Sequence, residues 1–460
     1  MTRSPETPGR PRTSARLRLA LISASRQGIT WIAGALHRLS SRTILWIGFA
    51  VFLVYAFPGY MSNDSVVQLI EGRTRQFTNP HPPIMAAEWG VLDSIISGPV
   101  LMLVLQGAAF LLGCAAVLRR SLPPRAAAIA AIAVLLFPPV TTTMAVIWKD
   151  SQMAAYLVAG TALLLGLRRS TRLVGLVLVT AGCAFRLNAF AAAVPLVFAL
   201  FEWRPGLRWF QRYAISLVAS VAMMLTASAV NRALTVETTT LTPAYVDIVG
   251  VLTFTRDRSD DELRALLRDT PLRPTTDIQA HARKVFSPRN AWLVDHGDDR
   301  VFDRAKTDVQ ADAVTRAWKT LVADDPGAYL AYRIAVFREL IGLTPSDPWS
   351  PVFNLFIETA DEENWIDHNA TWSPAQRQLA SAYYWLVYNT PLFRPYVYIA
   401  IALVLLALFC RDRLSFALLG SGLTYELSYF PGAATADFRY SHWMIACTCL
   451  CIVLLFAQRA

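Results

Sequence analysis

The chain has 460 residues, 54% apolar and 17% charged, with a mean hydropathy of +0.38 and a net charge of +10. That balance excludes a soluble domain and describes a polytopic membrane protein. The positive excess excludes a nucleic-acid binder once it is mapped: residues 1–42 hold eight Arg and one Glu, 231–391 holds 23 acids and 17 bases, and no basic patch is interleaved with stacking aromatics.

In chain order, the first ~14 residues are rich in Pro, Ser, Thr and Arg and read as disordered. Residues 15–37 suit a basic amphipathic helix on the inner membrane surface, and 1–42 lack the pattern of a cleaved signal peptide. A span needs about 20 mostly apolar residues, with about 17 as a lower limit. Spans are expected near 43–59, 98–118, 126–143, 151–167, 173–185, 189–201, 213–230, 393–410, 414–431 and 441–457. The fifth and sixth are short and are separated by Arg186-Leu187-Asn188, which suits a tight hairpin or partly embedded helices.

Four basic clusters occupy alternate connections: Arg119/Arg120/Arg125, Arg168/Arg169/Arg172, Arg204/Arg208/Arg212 and Arg411/Arg413. All four fall on one side if every span crosses and the amino terminus is cytoplasmic. The expectation is an all-α polytopic transmembrane helical bundle of about ten spans with a cytoplasmic amino terminus. Its segments are a basic 1–42, spans over 43–230 with a first outer loop at 60–97, a mostly helical extracytoplasmic insertion at 231–391, and three spans over 392–460.

The insertion is too long for an ordinary loop. Asp260–Leu267 reads as a capped helix, 301–322 has helical apolar spacing, 327–342 suits an interfacial helix, and 372–390 is rich in the Tyr and Trp of a headgroup belt. The six Cys all fall in expected spans, without metal-ligand spacing, and read as small packing residues. The sequence leaves the cofactor open: it permits a divalent metal, although no ligand spacing indicates one.

The polar interruptions gather on the other side. Asp64 follows Asn63 just beyond the first span, where a carboxylate can act as a general base or cap a helix beginning at Ser65. His81, within Asn79-Pro80-His81-Pro82-Pro83, suits a phosphate, a sugar hydroxyl, a metal or simply a turn. Trp148-Lys149-Asp150 reads either as an interfacial anchor or as a cation for a phosphate oriented by Asp150. Arg186, with Asn188, interrupts a hydrophobic run, where a charge is costly. Arg439 and Tyr440 follow Asp437, and Arg439 suits a phosphate through bidentate hydrogen bonds or a salt bridge to Asp437. Glu426, the one acid inside an expected span, reads as a buried partner for an arginine.

On these residues the chain resembles the GT-C class of integral membrane glycosyltransferases, closest to bacterial members with acid, His-Pro, Lys-Asp, Arg-x-Asn and Arg-Tyr elements in this order. The matches are Asn63-Asp64, His81-Pro82-Pro83, Trp148-Lys149-Asp150, Arg186-Leu187-Asn188 and Asp437-Phe438-Arg439-Tyr440. The resemblance implies transfer of a sugar from a polyprenyl-phosphate donor to a cell-envelope glycan, lipid or protein acceptor. It implies Asp64 as the base, outer Lys and Arg residues on the donor phosphate, and a site facing the periplasm or exterior of a bacterial inner membrane. Many members carry a second acid in the first loop; here the nearest are Glu71 and Glu88. The rival readings are a transporter or flippase of a lipid-linked or anionic substrate, which needs ionisable residues at depth, and a non-catalytic envelope assembly protein.

Overall fold

The computed structural model describes residues 39–79, 81–204, 206–236, 242–355, 372–409 and 411–459. The amino-terminal segment with its expected helix over 15–37, Pro80 and Cys410 lie outside the described residues. Among the described residues the protein is all-helical, with isolated bridges at Tyr60–Val146 and Leu272–Phe302 in place of any sheet. The five described cysteines are free.

Chain order gives Ser41–Ala56 (α1), Asn63–Thr74 (α2), Pro83–Asp93 (α3), Val100–Leu118 (α4), Pro124–Leu135 (α5), Pro138–Met144 (α6), Lys149–Leu164 (α7), Arg169–Phe185 (α8), Phe190–Leu200 (α9) and Trp209–Leu234 (α10). The inserted region contributes Thr242–Phe254 (α11), Asp260–Leu266 (α12), Ile278–Val285 (α13), Asp308–Asp324 (α14), Pro326–Leu340 (α15) and Pro374–Asn389 (α16). Pro395–Leu408 (α17), Arg413–Gly432 (α18) and His442–Arg459 (α19) complete the chain.

Each expected span coincides with a helix or, at 126–143, a pair of helices, but among the described residues three stretches are long and apolar enough to cross a membrane by themselves: Val100–Leu118, Trp209–Leu234 and Phe438–Gln458. The figure of about ten is thus larger than helix length supports. One reason is visible at 126–143: Pro138 ends one helix and starts another, and the pair bends by 73°. With that pair counted as one span, four candidates result.

Small residues set the closest helix contacts. A Cβ on Gly160 of α7 would stand 2.9 Å from the Gly175 carbonyl of α8, and one on Gly72 of α2 would stand 2.5 Å from the Ala86 carbonyl of α3. Backbones approach this closely only where side chains are absent.

The inserted region has an apolar centre that its acidic composition hides. α11 is buried along Tyr245–Leu252, with α13, α14 and α15 packed around it. α15 buries one face, with Tyr332, Arg333 and Val336 packed against α11 and further contacts to α18, while Leu330 and Ile334 on its other face stay exposed. Two backbone bonds, from Ala436 N–H to the Pro288 carbonyl at 2.7 Å and from Phe438 N–H to the Trp349 carbonyl at 3.1 Å, tie the insertion to the turn before α19.

Candidate functional site

Four local devices bring one polar cluster together. The first is the backbone after α1. Gly59 has φ +112°, which favours glycine, and the next residue pairs across the bundle: Tyr60 N–H donates to the Ala145 carbonyl and Ile147 N–H to that of Tyr60, both at 2.9 Å. This lays the opening polar segment beside Trp148 and Lys149.

The second device is the start of α2. Ser62 is its N-cap, in a capping box with Ser65, and the Trp148 indole donates to the Ser62 hydroxyl at 2.7 Å. Asp64 thus sits in the first turn, two residues after the cap. The helix does not begin at Ser65, so Asp64 is not its capping residue.

The third device is the turn from α6 to α7. Buried Gln106 of α4 donates to the Met144 and Val146 carbonyls at 2.7 and 2.9 Å, fixing the approach to Lys149-Asp150. The fourth is the short 3-10 turn Phe438–Ser441, where the Asp437 carboxylate accepts from Arg439 N–H at 3.1 Å and aims the Arg439 side chain inward.

Arg439 is the hub. Its Nη2 is 2.9 Å from Asp64, and its Nε is 3.0 Å from Asp437 and 4.0 Å from Asp150. Among the described residues that buried Nε has no aligned hydrogen-bond acceptor, so the Asp437 contact is an ion pair without hydrogen-bond geometry. The guanidinium lies over the Trp148 ring at 4.6 Å and the Tyr440 ring at 5.6 Å. Arg186 takes a different position: Nη1 donates to both Asp150 oxygens at 2.6 Å, and its charge sits over Tyr440 and Tyr429. Tyr429 and Tyr440 are themselves stacked, with centroids 4.7 Å apart. Lys149 Nζ is 2.8 Å from His81 Nδ1, and His81 Nε2 is 3.7 Å from Asp64.

Three cations, Lys149, Arg186 and Arg439, thus face three carboxylates, Asp64, Asp150 and Asp437. Burial alone would raise the Asp64 carboxyl; Arg439, His81 and Lys149 around it together outweigh burial and hold it well below the usual carboxylate range. Burial pushes Asp437 up to about 6 against the pull of Arg439. Burial, reinforced by Lys149, pushes His81 down to about 3, so the ring is neutral. A neutral ring that accepts from the Lys149 ammonium at Nδ1 carries its proton on Nε2, facing Asp64. Burial brings Lys149 down to about 8. Asp64 is the most open of the three acids, its side chain 28% exposed against 14% for Asp437 and 1% for Asp150.

Asp64, His81, Lys149, Asp150, Arg186, Asp437, Arg439 and Tyr440 therefore form one cluster, drawn from four separate polar interruptions. Asn188 does not join it; its amide donates to Ser428 on α18 at 3.0 Å. Asn63 Oδ1 is buried with no hydrogen-bond partner among the described residues. Glu71 accepts from Thr78, and Glu88 accepts from Tyr156 at 2.8 Å, so neither supplies a second acid beside Asp64. Glu426 accepts from Ser441 at 2.7 Å and, among the described residues, makes no ion pair with an arginine. Tyr429 is the aromatic member that sequence reasoning passed over; Trp148, expected as an interfacial anchor, lies under the Arg439 guanidinium. An i, i+4 Tyr425/Tyr429 pair inside an apolar helix gives no signal that distinguishes it from core. No group of three or more His, Cys, Asp or Glu is arranged to hold a metal among the described residues.

No family model, curated protein or solved structure matches this chain.

Proposed function

We propose that this protein is a membrane glycosyltransferase of the GT-C kind, which moves a sugar from a polyprenyl-phosphate donor to a cell-envelope acceptor on the outer face of a bacterial inner membrane. The observation that carries the reading is the Asp64–Arg439 pair at 2.9 Å, a partly exposed carboxylate held by a cation that two further acids share. Transfer from a lipid phosphate needs both parts: a base for the acceptor hydroxyl and positive charge for the departing phosphate.

In the resting arrangement the acids and cations balance, and Asp64 is a poor base because Arg439 holds it. A donor phosphate competes for that guanidinium. As Arg439 turns to the phosphate, Asp64 loses its counter-charge and its basicity rises. The acceptor oxygen then attacks the anomeric carbon, the carbon–oxygen bond to phosphate breaks, and Asp64 takes the acceptor proton. The bond's electron pair leaves on the polyprenyl phosphate, which Arg439 and Lys149 neutralise. Arg186, locked to Asp150, positions this assembly and keeps Tyr440 beneath Arg439.

A groove of about 520 Å³ between α5, α17 and α19 suits the apolar tail. Its upper wall includes Leu392, whose neighbour Phe393 packs on Phe438 with centroids 5.3 Å apart, one residue before Arg439. The orientation rests on the four basic connections: Arg120, Arg172 and Arg413 line one pocket, and Arg212 shares the Ala199 carbonyl with Arg413. Helices α7 and α8 run from that end to the acid-bearing cluster, as the positive-inside rule requires if the cluster faces outward.

The test is transfer of radiolabelled sugar from a polyprenyl-phosphate donor by the purified chain in vesicles. Product carrying the label together with released polyprenyl phosphate supports the reading. Label that crosses the bilayer still attached to its lipid overturns it in favour of a flippase.

A further inference from the structure

The end of the bundle opposite the Asp64 cluster carries its own charged pocket, of about 470 Å³, lined by Arg120, Ser121, Arg172, Glu202, Asp412 and Arg413. It lies at the far ends of the helices that build the cluster: α8 runs from Arg172 to Arg186, about 20 Å at 1.5 Å per residue.

The charges in this pocket do not balance. Arg172 is buried and donates to the Glu202 and Leu167 carbonyls, and its Nε has no partner among the described residues. Its nearest carboxylate oxygen, on Glu202, is 4.0 Å away. Arg413 donates to the Ala199 carbonyl through Nε and Nη2 at 3.2 and 2.9 Å. Arg212 donates to the same carbonyl, leaving its own buried Nε unpartnered. Two guanidinium groups thus converge on one neutral acceptor, and among the described residues neither makes an ion pair. Asp412, the other acid in the wall, is engaged as the N-cap of α18, accepting from Ser415 N–H at 2.9 Å. One cation per helix end would suffice to offset a C-terminal dipole. The further arginines, brought in from four different connections, repel one another unless an anion lies between them.

The depth of the pocket says which anion. Trp209 and Tyr213 at the start of α10 are 75% and 43% exposed, and Trp203 is 38% exposed with Arg169 stacked over it at 4.9 Å. Exposed Trp and Tyr at the end of an apolar helix mark the headgroup level of a bilayer. We infer that this pocket binds the phosphate of an anionic phospholipid headgroup from the leaflet opposite the Asp64 cluster. The headgroup phosphate sits among Arg120, Arg172 and Arg413, and the acyl chains run down the outer face of the neighbouring apolar helices. The inference shares with the sugar-transfer reading only the orientation drawn from these arginines, and uses none of the residues placed in its reaction.

The test compares binding of fluorescent phosphatidylglycerol and phosphatidylcholine to the full chain in mixed micelles, with inorganic phosphate as competitor. The variants are Arg413→Gln and Arg120→Gln, alone and combined. Arg120 is exposed at the pocket rim, so its variant keeps the test valid if Arg413→Gln does not fold. Each arginine near an anionic lipid surface contributes about a fivefold preference, so the double variant loses about thirtyfold of the phosphatidylglycerol preference and Arg120→Gln about fivefold. Phosphatidylcholine, whose ammonium offsets the charge of the same phosphate, loses less in both. Equal preference for the two lipids in the wild type overturns the inference, as does a folded Arg120→Gln variant with wild-type selectivity. Full competition by millimolar phosphate overturns the lipid assignment in favour of a free anion.

Discussion

Two Arg–Asp clusters in this molecule are built from the same residue types and differ in completeness. In the inserted region Asp247 accepts from Arg333 Nη2 at 2.7 and 2.8 Å, from the Trp318 indole at 3.0 Å and from the Tyr332 hydroxyl at 3.2 Å. Arg333 Nη1 spans to the Ala433 carbonyl at the end of α18 at 2.6 Å, and both side chains are buried. In the Asp64 cluster Arg439 is divided among three acids, one of which is partly exposed. The first arrangement uses nearly every donor and acceptor it has and joins two parts of the fold. The second leaves Arg439 shared and Asp64 accessible, so a competing anion has something to take. Saturation marks a strut, and shared charge marks a site.

The sharpest way to break this comparison is to cut the strut. Arg333→Met leaves the Asp247 carboxylate buried without its cation, which costs about 3–5 kcal/mol. Thermal unfolding in detergent should show a large drop in Tm, with activity lost only in proportion to unfolded protein. Arg439→Gln should act in the opposite sense. Transfer should fall by about 10²–10³, the cost of losing one preorganised charge at a developing anion, while Tm moves little because Asp64 becomes free to hydrate. A third test uses pH. Lys149, brought down to about 8, loses its charge as pH rises through that value, so transfer should decline above pH 8. Lys149→Arg, which stays charged, should hold its rate to higher pH even if that rate is lower. The smallest effect belongs to Arg73–Asp93, a two-pronged pair at 2.8 and 2.9 Å whose arginine is 47% exposed. Arg73→Ala should cost about 0.2–1 kcal/mol and leave transfer unchanged.

Much of this contrast was legible before any coordinates. Apolar runs located the helices, because the bilayer-facing and core-facing residues of such a bundle are both apolar. Polar residues in that setting are costly, so the interruptions at Asp64, Lys149, Arg186 and Arg439 stood out. Their convergence was legible only as a shared side of the membrane. The contact itself depends on the Gly59–Tyr60 backbone pairing with Ala145–Ile147 and on the insertion holding the Arg439 turn. Neither has a periodicity in the chain. The bend at Pro138 was written in two adjacent prolines, but a window of apolar residues reads straight through them. α11 was hidden for the opposite reason, a buried apolar helix inside a region whose average is acidic. Glu426 failed as an arginine partner because a single buried carboxyl is satisfied as well by a serine hydroxyl, here Ser441.

The central claim is that Asp64 belongs to a site and not to a strut, and Asp64→Asn tests it most directly. Transfer and thermal unfolding are measured on the same purified variant. The account predicts a loss of transfer of about 10²–10⁴, the range for removing a general base, with a Tm within a few degrees of wild type. Wild-type transfer by folded Asp64→Asn protein, or a collapse in Tm like that of Arg333→Met, would contradict it.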